Sequence, residues 1–128
     1  MRLVIVRHAE AAAGQPDELR PLTAAGRAQA RALGDELRAD GIAPDAIVCS
    51  PLLRARETAA TLDLGKPVID DRLPPGATPD DVRAAAEGRG RLVLVVGHQP
   101  DWGRAAGVLG DGVEPSFPPC GHVTLELE

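Results

Sequence analysis

Aromatic side chains are nearly missing from this chain of 128 residues. Trp102 and Phe117 are the only ones, and there is no tyrosine. A core therefore has to come from Leu, Val, Ile and Ala. Recognition of single-stranded nucleic acid by base stacking, which needs aromatic platforms, is excluded. Cysteine is also scarce: Cys49 and Cys120 are too few and too far apart for a zinc site, and nothing in their placement signals a disulfide. Lys66 is the only lysine, so arginine carries almost all the positive charge. Arginine is the better bidentate phosphate ligand, although uniform arginine use also follows from a biased genome. The formal net charge of -5 argues against non-specific binding to nucleic acid or an anionic membrane. No apolar run approaches the length of a transmembrane helix. The N-terminus passes straight into a short apolar strand without the pattern of a secretory leader. Cytoplasmic location is the expectation.

What the chain does have is an alternation of apolar runs and helical patterns. The hydrophobic fraction of 44% and charged fraction of 26% are ordinary for a globular protein of one domain, spanning residues 1–128. Strands are expected over residues 2–6, 46–49, 66–69 and 91–96, with a last alternating strand over 122–127. Thr23 is placed to cap a helix running to about Ala39, with Gly26, Ala30, Leu33 and Leu37 on its buried face. Ser50 and Pro51 read as the start of a second helix. Helices are also expected over 79–87 and 100–109. Strands alternating with helices imply an α/β fold: a three-layer α/β/α sandwich whose mostly parallel sheet ends in an antiparallel edge strand. The most apolar strand, Leu92 to Val96, belongs at the sheet centre.

Chemistry-bearing residues fall just past three of these strands. Arg7-His8 follows Leu3 to Val6, Ser50 to Arg54 follows Ala46 to Cys49, and Gly97-His98 follows Leu92 to Val96. In an open parallel sheet that edge is where ligands bind. Arginine and histidine together there point to phosphate. A histidine attacking phosphorus needs a neutral ring nitrogen and cations around the phosphoryl oxygens. Flanking arginines hold the dianion and disfavour imidazole protonation. Each pair alone has a plain structural explanation; their coincidence on one edge does not.

In these residues the chain resembles the histidine phosphatase superfamily, also called phosphoglycerate-mutase-like. Val6-Arg7-His8-Ala9-Glu10 carries the resemblance first. Arg20-Pro21-Leu22-Thr23, Ser50-Pro51-Leu52-Leu53-Arg54 and Val96-Gly97-His98-Gln99-Pro100 follow in order. The resemblance implies that His8 is the nucleophile of a phosphohistidine intermediate. It implies that Arg7, Arg54 and His98 complete the phosphate pocket, that Arg20 lies at its rim, and that neither a metal nor any other cofactor is needed. Ser50 and Thr58 are expected to be structural. The short length resembles the SixA-type branch, whose members act on protein phosphohistidine. The loop Arg72-Leu73-Pro74-Pro75-Gly76 lacks the acidic residue that mutases and many phosphomonoesterases use to protonate an alkoxide. The expected substrate is therefore a phosphohistidine protein or a phosphoramidate. A small-molecule phosphomonoesterase and a non-catalytic phosphate- or phosphohistidine-binding module are the alternatives. No nucleic-acid or membrane partner is expected, and the oligomeric state is open.

Overall fold

The computed structural model describes all of residues 1–128. Five strands, β1 (Arg2–Arg7), β2 (Ala46–Cys49), β3 (Pro67–Ile69), β4 (Leu92–Gly97) and β5 (His122–Glu126), form one sheet in the order β3-β2-β4-β1-β5. Four helices accompany them: α1 (Ala24–Ala39), α2 (Leu53–Thr61), α3 (Pro79–Ala86) and α4 (Asp101–Leu109). All strand pairs are parallel except β1 with β5. This is the α/β/α arrangement with an antiparallel edge, and β4 lies in the middle.

Side-chain alternation along the strands sorts the core into two faces. Leu3, Ile5, Val48, Val93 and Val95 pack with Val82, Ala85 and Ala86 of α3 and Trp102, Ala105 and Ala106 of α4. Val4, Val6, Ile47, Cys49, Leu94 and Val96 pack with Leu33 and Leu37 of α1, Ala55 and Ala59 of α2, and Leu62. The few aromatics are used sparingly: Trp102 is fully buried, with its indole N–H donated to the Val95 carbonyl at 3.1 Å. Small residues allow close approach elsewhere. A Cβ at Gly26 would collide with the Glu10 carbonyl, so that glycine lets α1 press against the loop after β1.

Register sets the functional edge. In the β1–β4 pair Arg7 stands opposite Gly97, and in the β2–β4 pair Cys49 stands opposite Val96. The residues that follow, His8, His98 and Ser50, therefore leave the sheet side by side.

Three local details differ from the sequence reading. Helix α2 starts at Leu53, with Leu52 in the capping position and no side-chain cap. In its first turn Ala55 N and Arg56 N both donate to the Leu52 carbonyl. The stretch 9–22, to which the sequence patterns assign neither strand nor helix, carries a 3-10 turn over Asp17–Leu19 and a bridge between Ala11 and Leu22. Helix α3 is capped by Thr78, whose side chain accepts from Asp81 N while Asp81 accepts from Thr78 N.

Candidate active site

The structure brings Arg7, His8, Arg20, Arg54 and His98 to a single cleft of about 500 Å³. Ala9, Glu10, Ala11, Asp17, Pro75, Gln99 and Pro119 complete its wall. The cleft is graded in burial. Arg54 and His98 at the bottom are 5% and 2% exposed, whereas Glu10, Asp17, Pro75 and Pro119 are exposed at the mouth.

His8 is held by its backbone and its ring. Its N–H donates to the Gly97 carbonyl at 2.9 Å, which ties the β1 exit to β4. Its Nδ1 lies 2.7 Å from the Ala9 carbonyl oxygen. A carbonyl only accepts, so Nδ1 carries the proton and Nε2 keeps its lone pair. The His8 pKa is lowered to about 4, first by burial. The Ala9 hydrogen bond opposes that shift, while the positive charges of Arg54, Arg7 and Arg20 add to it. At neutral pH the free site thus presents an uncharged imidazole with a bare nitrogen.

His98 sits 5.2 Å from His8, ring centre to ring centre. Its backbone position needs Gly97 before it, because a Cβ there would collide with the Trp102 indole. Its Nε2 is 2.7 Å from Ser50 Oγ, and both groups are buried. Ser50, expected only to start a helix, is therefore a ring partner of His98. It also accepts from Leu52 N at 3.2 Å, which fixes its hydroxyl between the two. The His98 pKa is lowered to about 3, by burial first and then by the neighbouring His8 and Arg54.

The arginines are fixed by oxygen acceptors, Arg7 and Arg54 through their outer nitrogens only. Arg7 Nη1 donates to the Phe117 carbonyl at 2.8 Å. Arg54 Nη1 donates to the Asp17 carbonyl at 3.0 Å, and Nη2 to Asp17 Oδ2 at 3.3 Å. Arg20 Nε donates to Asp17 Oδ1 at 2.9 Å, and its Nη1 to the Ala12 carbonyl at 3.2 Å. Thr58 links the two motifs: its hydroxyl donates to the Arg54 carbonyl at 2.8 Å and accepts from Ala9 N at 2.9 Å. Three buried polar side-chain atoms have no hydrogen-bond partner in the protein: Arg7 Nε, Arg54 Nε and His98 Nδ1. All three belong to residues of this cleft. Unpartnered buried polar groups are costly, and here they line the same cleft as His8.

Asp17 escaped the sequence reading, although it organises two of the arginines. It sits in a loop without periodicity, and its only signal was an acid three positions before Arg20. Arg20 and Arg54 hold its carboxyl below the usual carboxylate range, the Arg20 hydrogen bond contributing most. Gln99, Pro75 and Pro119 were likewise not anticipated on the wall. Of the loop after β3, only Pro75 reaches the cleft. The nearby acids have other partners: Asp70 takes Arg72 at 2.7 Å, Asp101 takes Gly76 N at 2.7 Å, and Asp81 caps α3. No cluster of three His, Cys, Asp or Glu side chains is arranged to hold a metal ion. No helix is long and apolar enough to cross a membrane.

This edge-of-sheet pair of histidines among buried arginines is the frame of a known class. The chain belongs to the histidine phosphatase superfamily, branch 1, whose family model matches residues 3–74. Within that class its shape is of the SixA type. The structure of the protein histidine phosphatase SixA complexed with tungstate superposes with a TM-score of 0.90 at 25% identity, covering 100% of this chain and 89% of that one. In sequence it is similar to the uncharacterized protein Rv1276c of Mycobacterium tuberculosis, 36% identical over 138 residues, covering 95% of this chain and 87% of that protein. The mycobacterial glucosyl-3-phosphoglycerate phosphatase Rv2419c shares the fold, with a TM-score of 0.69 at 20% identity over 96% of this chain and 88% of its own.

Proposed function

We propose that this protein is a phosphatase acting without a metal ion, with His8 Nε2 as nucleophile, on phosphoryl groups carried by nitrogen: phosphohistidine in a protein, or a small phosphoramidate. The observation that carries the reading is the set of three buried polar atoms without a partner, the donors Arg7 Nε and Arg54 Nε and the ring nitrogen Nδ1 of His98, in the cleft that also holds the bare Nε2 of His8. We assign the His98 proton to Nδ1, with the Ser50 hydroxyl donating to Nε2. A phosphoryl group offers three oxygens that accept hydrogen bonds. Donors fixed in advance around them stabilise the charge that develops in transfer. The SixA structure that superposes on this chain is complexed with tungstate, itself a tetrahedral oxyanion.

In the first step the His8 Nε2 lone pair forms a bond to phosphorus. The bond to the substrate nitrogen breaks, and its electron pair stays on that nitrogen. In the second step a water oxygen bonds to phosphorus. The pair of the Nε2–P bond returns to Nε2, and the water proton goes to phosphate. Throughout, Nδ1–H remains on the Ala9 carbonyl, so His8 leaves the second step as a neutral imidazole. Arg20, anchored to Asp17, borders the phosphate.

Preference for nitrogen-bound phosphate rests on the carboxylates. An alkoxide needs a proton as it departs, and the loop after β3 supplies no acid to the cleft. Asp17 is kept ionised by two arginines and has no proton to give. The test is phosphate release in EDTA from a phosphohistidine protein and from an alkyl phosphate, for the native protein and His8→Ala. Release from the nitrogen-linked substrate alone, lost in the variant, is expected. Efficient release from the alkyl ester would transfer the assignment to a small-molecule phosphomonoesterase. No release from either, with vanadate still bound, would make the cleft a binding module.

A further inference from the structure

The floor of the cleft is cationic, through Arg7 and Arg54, while its mouth carries two carboxylates, Glu10 and Asp17. The two differ in what they are free to do. Both Asp17 oxygens are taken, one by Arg20 and one by Arg54. Glu10 forms no ion pair at all. Its Oε2 accepts the Thr23 hydroxyl at 2.6 Å, which leaves Oε1 without a partner. Its backbone is fixed as well: Glu10 N donates to Gln29 Oε1 at 3.0 Å, and Glu10 O accepts Thr23 N at 3.0 Å. A held and uncompensated carboxylate thus stands at the mouth of a cleft whose buried Arg7 Nε, Arg54 Nε and His98 Nδ1 have no partner.

His8 itself shows what a departing imidazole requires. When phosphate leaves Nε2, the ring departs as neutral imidazole because its other nitrogen already carries a proton, held by the Ala9 carbonyl. A substrate phosphoimidazole faces the same requirement on the opposite side of phosphorus. It leaves neutral only if its distal nitrogen is protonated, and that N–H wants an acceptor. We infer that Glu10 is the specificity-determining acceptor for the leaving group, taking the distal N–H of a phosphoimidazole and disfavouring leaving groups that are anionic or lack such a donor. This rests on the phosphatase reading above. The balance is simple: the P–N bond pair stays on the proximal nitrogen, the distal proton stays on the ring, and the carboxylate neither gains nor loses a proton. The carboxylate favours the protonated ring and so replaces the acid that the cleft lacks.

The test compares kcat/KM for N-phosphoimidazole with that for p-nitrophenyl phosphate, whose phenolate departs without an N–H, in the native protein and Glu10→Gln. The ratio between substrates cancels any loss of folded enzyme. It is expected to fall about tenfold in Glu10→Gln, the worth of one charge-assisted hydrogen bond. It should stay nearer the native value in Glu10→Asp, which keeps the charge. A native protein active on N-phosphoimidazole in a His8-dependent way, with a ratio unmoved by Glu10→Gln, overturns this inference and leaves the phosphatase reading standing. A native protein inert on both substrates overturns that reading, and this inference with it.

Discussion

The exits of β1 and β4 look alike in sequence, each an apolar run ending in a histidine, yet they present opposite faces of the imidazole. At the β1 exit the Ala9 carbonyl takes Nδ1 and leaves Nε2 bare. At the β4 exit Ser50 takes Nε2 and leaves Nδ1 as the orphaned atom. The partner on the second nitrogen decides what the first can do. A carbonyl on Nδ1 makes an acceptor of the far side of the ring, which is what the proposed nucleophile needs. A hydroxyl donating a hydrogen bond to Nε2 makes a donor of the far side, which is what the proposed contact to a phosphoryl oxygen needs. The same residue type at the same strand end therefore has two chemistries, set by neighbours rather than by position.

The largest effect that would break this contrast is on turnover. His8→Ala should fall to background, because it removes the Nε2 that the proposed mechanism places on phosphorus. His98→Ala should lose about a hundredfold in kcat, the scale of one lost oxyanion donor, while still forming a phosphoenzyme detectable by rapid quench with labelled substrate. Equal, complete loss in both would mean that the two histidines act as one unit. Ser50→Ala sharpens the contrast at smaller scale. Losing the hydroxyl that holds His98 should cost about tenfold in kcat, and should cost nothing further in a His98→Ala background, as a double-mutant cycle would read.

The smallest effect is on stability. The folded chain holds both rings neutral, with pKa values lowered from 6.5 to about 4 for His8 and about 3 for His98. The unfolded chain takes up those protons first as pH falls below 6.5. Stability is therefore full above that value and declines as pH falls from 6.5 to about 4 for His8 and to about 3 for His98, with a slope approaching about 1.4 kcal/mol per pH unit for each histidine. Asp17, Asp70 and Asp81, lowered from 3.8, begin to lose their contribution only below 3.8, so the window from 6.5 to about 4 reports the histidines. Urea unfolding across the window should show the slope roughly halved in His98→Asn. An unchanged slope would place the protons elsewhere.

Strand ends, the central place of β4 and the antiparallel edge were legible because apolar runs, alternation and helical spacing are local signals, and the α/β/α layering follows from them; the full strand order was not. Arg7, His8, Arg54 and His98 stood out because each lies next to such a run. The Ser50–His98 contact was not legible. Ser-Pro is fully explained as a helix start, and the pairing depends on Cys49 standing opposite Val96, a register no local pattern encodes. Asp17 was missed for a related reason. Its role comes from a 3-10 turn that folds the loop back onto Arg54, and loops carry no period to read. Glu10 was legible only as the end of the Arg7-His8 motif, and the Thr23 and Gln29 contacts show that it is held in place.

The position of β4 has a consequence in time. It is the fourth strand to emerge from the ribosome, yet it slots between the first and second. Until it does, β1 and β2 have no shared neighbour and the Gly97 carbonyl is not there to receive His8 N. A nascent or truncated chain that stops short of β4 holds the proposed nucleophile His8 and the arginines Arg7 and Arg54 in its sequence but has no frame to assemble them. Recovery of turnover after dilution from denaturant would therefore act as a clock for insertion of the middle strand, a long-range event that local helix formation cannot bring forward.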